Sequence, residues 1–136
     1  MDRRTKAREL AMQMLYQLDV QAGENLSHIG TFLRENNDDD LVFELANKWT
    51  KETWENLKIC DELIKTAAIK WEMARLSSVD RSILRLATYQ LKFCPDIPGK
   101  VIINEAIEIA KKYSGQQSAG FVNGVLDAIL RKLKTS

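Results

Sequence analysis

Residues 3–19 read RRTKARELAMQMLYQLD. Ala7, Leu10, Ala11, Met14, Leu15 and Leu18 recur at i, i+3 and i+4 spacing, which is the period of one buried helix face. The same stretch opens with Arg3, Arg4, Lys6 and Arg8 and has no acidic residue among its first six. Positive charge in a first turn opposes the helix dipole, by about 0.3 kcal/mol or more per exposed charge. Helix stability therefore does not explain the cluster. Arg4 and Arg8 lie one turn apart beside the apolar stripe, so they are expected to emerge at the edge of the packed face. Such a cluster, fixed in place by a core helix, can hold phosphates. The alternative is a solvated, frayed helix start, since short basic runs are common.

Helical spacing continues outward from this segment. The first helix is expected over residues 4–19, ended by Gly23 in "AGEN". A short helix follows near residues 27–35, with Ser27 as candidate N-cap. "NNDDD" is a loop, and one of Asp38, Asp39 and Asp40 caps the next helix, whose stripe is Leu41, Phe43, Leu45, Ala46, Trp49 and Thr53. A further run over residues 57–71 carries Ile59, Leu63, Ile64, Ala67 and Ala68. Residues 50–57 fit one long helix or two. Ser77 stands three residues before Asp80, a start resembling a capping box. Val79, Ile83, Leu86, Ala87, Tyr89, Gln90, Leu91 and Phe93 give the buried side that follows. Pro95 and Pro98, the only prolines, mark the clearest break. Beyond it come Ile103, Ala106, Ile107, Ala110 and Tyr113, with Gly115 just past the helix end. The last helix, over residues 118–134, has Val122, Val125, Leu126, Ile129, Leu130 and Leu133 on one side. No run alternates convincingly as a strand. The fold class is all-α: a compact bundle of about six or seven helices in a single domain over residues 1–136.

Composition excludes several function classes. The 136 residues carry 20 Lys and Arg against 19 Asp and Glu, a net charge of +1, so nucleic-acid affinity has to come from local clustering. No apolar stretch approaches the roughly 20 residues of a membrane span, and no signal-peptide pattern opens the chain. Cys60 and Cys94 make neither a metal spacing nor a disulfide framework, so reduced thiols and a cytoplasmic location are expected. The single histidine, His28, has no catalytic or zinc-ligating partners in sequence and is read as structural or exposed. "DDDLVFELANKW" places Leu, Val and Phe where a calcium loop needs oxygen ligands, so the aspartates are read as a solvated cap. Glu105 and Glu108 are read as exposed helix charges. There is no phosphate-binding glycine loop and no nucleophile elbow. Catalytic, metal and cofactor sites are not expected.

Two aromatics fall outside the stripes. Tyr16 lies far round from Leu10 and Leu18, and Phe121 lies about 100° from the centre of its stripe. Each either covers a neighbouring loop or makes a contact, Tyr16 with a protein partner and Phe121 by stacking on an unpaired base. "NG" at Asn123 and Gly124 would signal a hairpin, but the stripe runs through it. Gly124 then costs roughly 1 kcal/mol of helix propensity, which points to close packing or close ligand approach.

"ARELAMQMLYQLD", "VDRSILRLATYQL", "VIINEAIEIAKKY" and "FVNGVLDAIL" occur together, in this order, in a chain that resembles the NusB family of bacterial transcription antitermination factors. The resemblance runs from Arg3 to about Leu133 and is weakest between Gly23 and Ala74. It implies an all-helical fold of two small subbundles. It implies an RNA-binding subunit that pairs with ribosomal protein NusE, recognises boxA-type single-stranded RNA and joins the RNA polymerase antitermination complex, notably on ribosomal RNA operons. The family's arginine-rich motif falls on Arg3, Arg4, Lys6 and Arg8, and its RNA-proximal loop and final-helix start fall on Gln117, Ser118 and Phe121. Its NusE-facing surface falls on Tyr16, Asp80, Arg81 and Arg85. On this reading the stripe of the first helix fixes Arg4 and Arg8 relative to Phe121. Both monomer and homodimer remain open. Two other classes stand beside this one: a protein-interaction module of a ribosome-assembly or transcription complex without RNA readout, and a NusB-like fragment of an RNA methyltransferase.

Overall fold

The computed structural model describes residues 2–68, 70 and 76–135. Its first helix starts on a carboxylate. The Asp2 side chain accepts the Arg4 backbone N–H at 2.8 Å, and α1 (Arg3–Val20) follows. Gly23 closes this segment in the left-handed region (φ +80°), its N–H donating to the Leu18 carbonyl at 2.8 Å. A Cβ there would come within 3.1 Å of the Trp54 ring, so both the turn and the close approach call for glycine. Ser27 does not cap a helix. It sits inside a 3-10 turn, Leu26–His28, that leads directly into α2 (Ile29–Glu35).

Asp39 caps α3 (Asp40–Glu55), its carboxylate accepting the Leu41 and Val42 N–H groups. The open question over residues 50–57 resolves as two helices. Asn56, at φ −112° and ψ 24°, breaks the chain between α3 and α4 (Leu57–Ala67). The stretch of the expected run that reaches Trp71 lies outside the described residues. Ser77 caps α5 (Ser78–Phe93), accepting the Asp80 N–H at 3.1 Å. Pro98 precedes α6 (Gly99–Tyr113). The Gly115 N–H returns to the Ala110 carbonyl at 2.8 Å with φ +119°, and α7 (Gln116–Lys134) begins at once.

Among the described residues there are these seven α-helices and no strand. The helices α1, α2 and α3 pack on one another, α4 to α7 form a second group, and α5 touches both. This is the expected all-α pair of subbundles. All six residues of the α1 stripe are buried. Leu41, Ile59, Phe93 and Tyr113, expected inside, are exposed. The buried face of α3 runs through Val42, Ala46, Trp49, Thr50 and Thr53, which turns Leu41 outward, and that of α4 runs through Cys60 and Ile64, which does the same for Ile59.

A polar clasp joins the subbundles at the end of α1. Asp19 accepts from Arg81 Nη2 at 2.7 Å and Arg85 Nη1 at 2.9 Å, and Arg85 also pairs with Asp61 of α4 at 2.9 Å. Burial pushes the Asp19 carboxyl upward. Hydrogen bonds from Arg81, Ser78 and Arg85 and the charge of Arg81 outweigh it, and the pKa ends below the ordinary value of 3.8. A carboxyl depressed on folding contributes stability that is present above its unfolded pKa and is lost as pH falls through the folded one. Urea unfolding is therefore expected to lose stability as pH drops below about 4. Asp19→Ala, which takes one acceptor from each of two half-buried guanidinium groups, is expected to cost about 2 kcal/mol at pH 7 and to flatten that acid dependence.

Candidate nucleic-acid interface

The four cations at the head of α1 separate by the face they occupy. Arg3 makes a forked pair with Asp39, Nε to Oδ2 at 2.9 Å and Nη2 to Oδ1 at 2.8 Å. This pair ties the start of α1 to the cap of α3 while leaving Arg3 largely exposed. Arg4 is exposed, and neither it nor Lys6 has a side-chain hydrogen bond or ion pair among the described residues. Arg4 lines a depression of about 460 Å³ together with Lys48, Trp49, Ile97 and Pro98.

Arg8 corrects the expectation that it emerges at the edge. It is 3% exposed. Its Nη1 meets Glu105 Oε1 at 3.1 Å, its Nε points to Gln90 Oε1 at 3.4 Å, and the guanidinium lies 5.3 Å from the Trp49 ring centroid. Burial lowers its pKa, against the opposing pull of Glu105. The physical reason is present in the sequence. Arg8, Ala11, Leu15 and Leu18 follow at +3, +4 and +3, so Arg8 belongs to the apolar face. Glu105 stands in the same relation to Ile102 and Ile109, and it is turned inward rather than exposed, accepting the Thr5 hydroxyl at 2.5 Å as well. Glu108 does lie outside, paired with Lys111.

Further residues on this side carry no signal in the sequence. Glu9 accepts from Lys112 Nζ at 2.8 Å and from the Tyr113 hydroxyl at 2.6 Å, and Gln13 donates to that hydroxyl at 2.9 Å. Burial raises the Glu9 pKa, but the bonds from Lys112 and Tyr113 and the charges of Lys112 and Lys6 leave it lowered. Tyr113 ends up exposed because its hydroxyl is held at the surface. Next to it Tyr16 is also exposed, and both line an apolar depression of about 430 Å³ with Met12, Phe32 and Val79.

At the other end of α1 the residues assigned to two different roles come together. The Asp80 carboxylate accepts from Ser114 Oγ at 3.0 Å and Ser118 Oγ at 3.1 Å, clasping the loop between α6 and α7 onto the head of α5. Gln117 is exposed beside it. Phe121 is half-buried against the core and borders a groove with Ala67, Ala68, Lys70, Gly120 and Gly124. Among the described residues nothing lies within 4 Å of a Cβ added at Gly124, so close packing does not explain that glycine. Arg81 and Arg85 are committed to Asp19 and Asp61 inside the molecule.

Arg4 and Phe121 do not share a corner. Arg8 reaches Gln90 near the end of α5, while Asp19 reaches Arg81 near its start, so α1 and α5 run antiparallel. Ser118 bonds Asp80 at that same start. At about 1.5 Å per residue, Arg4 and Asp19 lie roughly 22 Å apart along α1. The basic end and the Phe121 end thus lie at opposite ends of α1, and Lys112 and Tyr113 of α6 meet the helix between them at Glu9 and Gln13.

Among the described residues no group of three or more His, Cys, Asp or Glu side chains is placed to hold a metal ion, and no helix is long and apolar enough to cross a membrane. Burial pushes the Cys60 thiol up to about 12, which keeps it protonated.

The NusB family profile matches residues 5–131. The transcription antitermination protein NusB of Clostridium perfringens is 41% identical over 134 residues, covering 96% of this chain and 98% of its own length. The solved structure of T. maritima NusB superposes with a TM-score of 0.85 at 40% identity, over 97% of this chain and 92% of that one. A crystal structure of the antitermination factors NusB and NusE in complex with dsRNA gives a TM-score of 0.87 at 26% identity, over 97% and 98% of the two chains. The chain belongs to the NusB family of transcription antitermination proteins.

Proposed function

We propose that this protein is a non-catalytic RNA-binding subunit that pairs with ribosomal protein NusE. It recognises boxA-type single-stranded RNA in the cytoplasm and joins the RNA polymerase antitermination complex to suppress termination, notably on ribosomal RNA operons. The observation that carries this reading is the uncommitted pair Arg4 and Lys6, held at the head of a core helix against the helix dipole. The solved NusB–NusE–dsRNA complex, similar over nearly the whole chain, supports the pairing with NusE and the binding of RNA.

In this reading Arg4 and Lys6, with Arg3 flanking them, take backbone phosphates. A phosphate contact fixes register without reading sequence. Sequence is read at the other end of α1, where Phe121 borders a groove that would take an unpaired base and Gln117 and Ser118 offer polar groups to its edge. Tyr16 and Asp80 face NusE. Because Asp80 also holds Ser118, NusE docking and the RNA loop share one carboxylate, and binding at either site biases the other.

Fluorescence anisotropy of a labelled boxA-type RNA, titrated with the chain alone and then with equimolar NusE, tests this directly. The pair is expected to prefer boxA over a scrambled RNA more than about tenfold, which is about 1.4 kcal/mol. Absence of any preference, with NusE still bound, would move the assignment to a protein-interaction module. Arg4→Gln is expected to reduce the slope of log K against log salt by about 0.7 for each phosphate that the variant no longer neutralises. Phe121→Ala is expected to lower boxA discrimination more than it lowers scrambled-RNA affinity, and an equal loss on both RNAs would contradict base reading.

A further inference from the structure

The head of α1 is a poor helix start on local grounds. It has an aspartate cap but no acidic residue in its first turn, and its cations oppose the dipole. Such a turn frays unless something outside the helix holds it. Two groups do so: the Arg3–Asp39 pair ties the turn to α3, and one oxygen on α6 fastens its inner face. Glu105 Oε1 accepts both the Thr5 hydroxyl at 2.5 Å and Arg8 Nη1 at 3.1 Å. Thr5 and Arg8 are one turn apart, so the two bonds fasten one face of the turn. At about 100° per residue, Arg4 then flanks the fastened face and Arg3 lies opposite it. Their surroundings agree, since Arg3 turns to Asp39 at the head of α3 and Arg4 opens onto the depression beside Lys48.

We infer that Glu105 is a positioning residue for RNA binding: through Thr5 and Arg8 it sets the rotation of the first turn of α1, and so where Arg4 and Lys6 meet phosphate. Arg8, sealed between Glu105, Gln90 and Trp49, is the anchor of this device and not a phosphate ligand. The inference rests on the RNA reading above.

The sign of one substitution separates positioning from simple electrostatics. Glu105 is a negative charge next to a cationic RNA surface, so electrostatics alone predicts that Glu105→Gln tightens RNA binding. Positioning predicts the reverse. Thr5→Val removes the hydroxyl at constant shape and charge, and Thr5→Ser restores it.

The experiment measures boxA-type RNA affinity of the full chain with equimolar NusE for these three variants, with circular-dichroism melting of each. Glu105→Gln and Thr5→Val are expected to weaken binding about threefold or more, and Thr5→Ser to stay within about twofold of the parent. Unchanged or tighter binding in folded Glu105→Gln, or equal affinities of Thr5→Val and the parent, overturns the inference and leaves the RNA reading standing. If Glu105→Gln does not fold, the Thr5 pair decides by the same criterion. A parent chain that binds no RNA overturns the RNA reading and this inference with it.

Discussion

One buried guanidinium organises the basic end of this molecule. Arg8 sits on the core face of α1 and meets α3 through Trp49, α5 through Gln90 and α6 through Glu105. A charge taken out of water is costly unless an opposite charge and hydrogen bonds replace its hydration. Glu105 supplies both, and that requirement fixes how three helices meet at the head of α1. Breaking the pair from one side would strand the other charge in a low-dielectric interior. The remaining geometry follows from this constraint. Thr5 is drawn to the same carboxylate, Arg3 is turned to the cap of α3, and Arg4 and Lys6 are left at the surface.

At the far end of α1 the same logic is applied with less burial. Asp19, Arg81, Arg85 and Asp61 make a chain of alternating charges that ties α1 to α5 and α4. The two polar clasps bracket the apolar stripe from Ala7 to Leu18, so α1 is fixed in rotation at both ends. A core helix fixed in this way presents its outer face, from Lys6 through Gln13 to Tyr16, in one set orientation. On the proposed RNA-binding reading, this pre-set orientation lowers the ordering cost of meeting phosphates.

The helices were legible because apolar period and capping residues agree with one another. The α1 stripe, the Asp39 cap, the Ser77 cap and the Gly115 exit all stand where local chemistry requires them. The break at Asn56 was not legible, since the apolar spacing runs on through it and no proline or glycine marks it. Ser27 misled because a serine before an apolar run fits a 3-10 turn as well as an N-cap. The site was legible in part. Charge clustering pointed to the head of α1, but a count of cations does not say which of them face water. The spacing of Arg8 with Ala11 and Leu15, and of Glu105 with Ile102 and Ile109, held that information. It becomes decisive only when the two helices are seen to face each other. The union of Asp80 with Ser114 and Ser118 is a tertiary contact with no local trace.

The basic cluster divides into an inward anchor, Arg8, and outward cations that we propose as phosphate ligands. Side-chain Nε–Hε resonances of the arginines report this division directly. In a titration of the NusE-bound chain with boxA-type RNA, the Arg4 resonance is expected to shift, while that of Arg8 holds its position and its slow exchange. Equal perturbation of Arg8 and Arg4, or perturbation of Arg8 alone, would contradict the account.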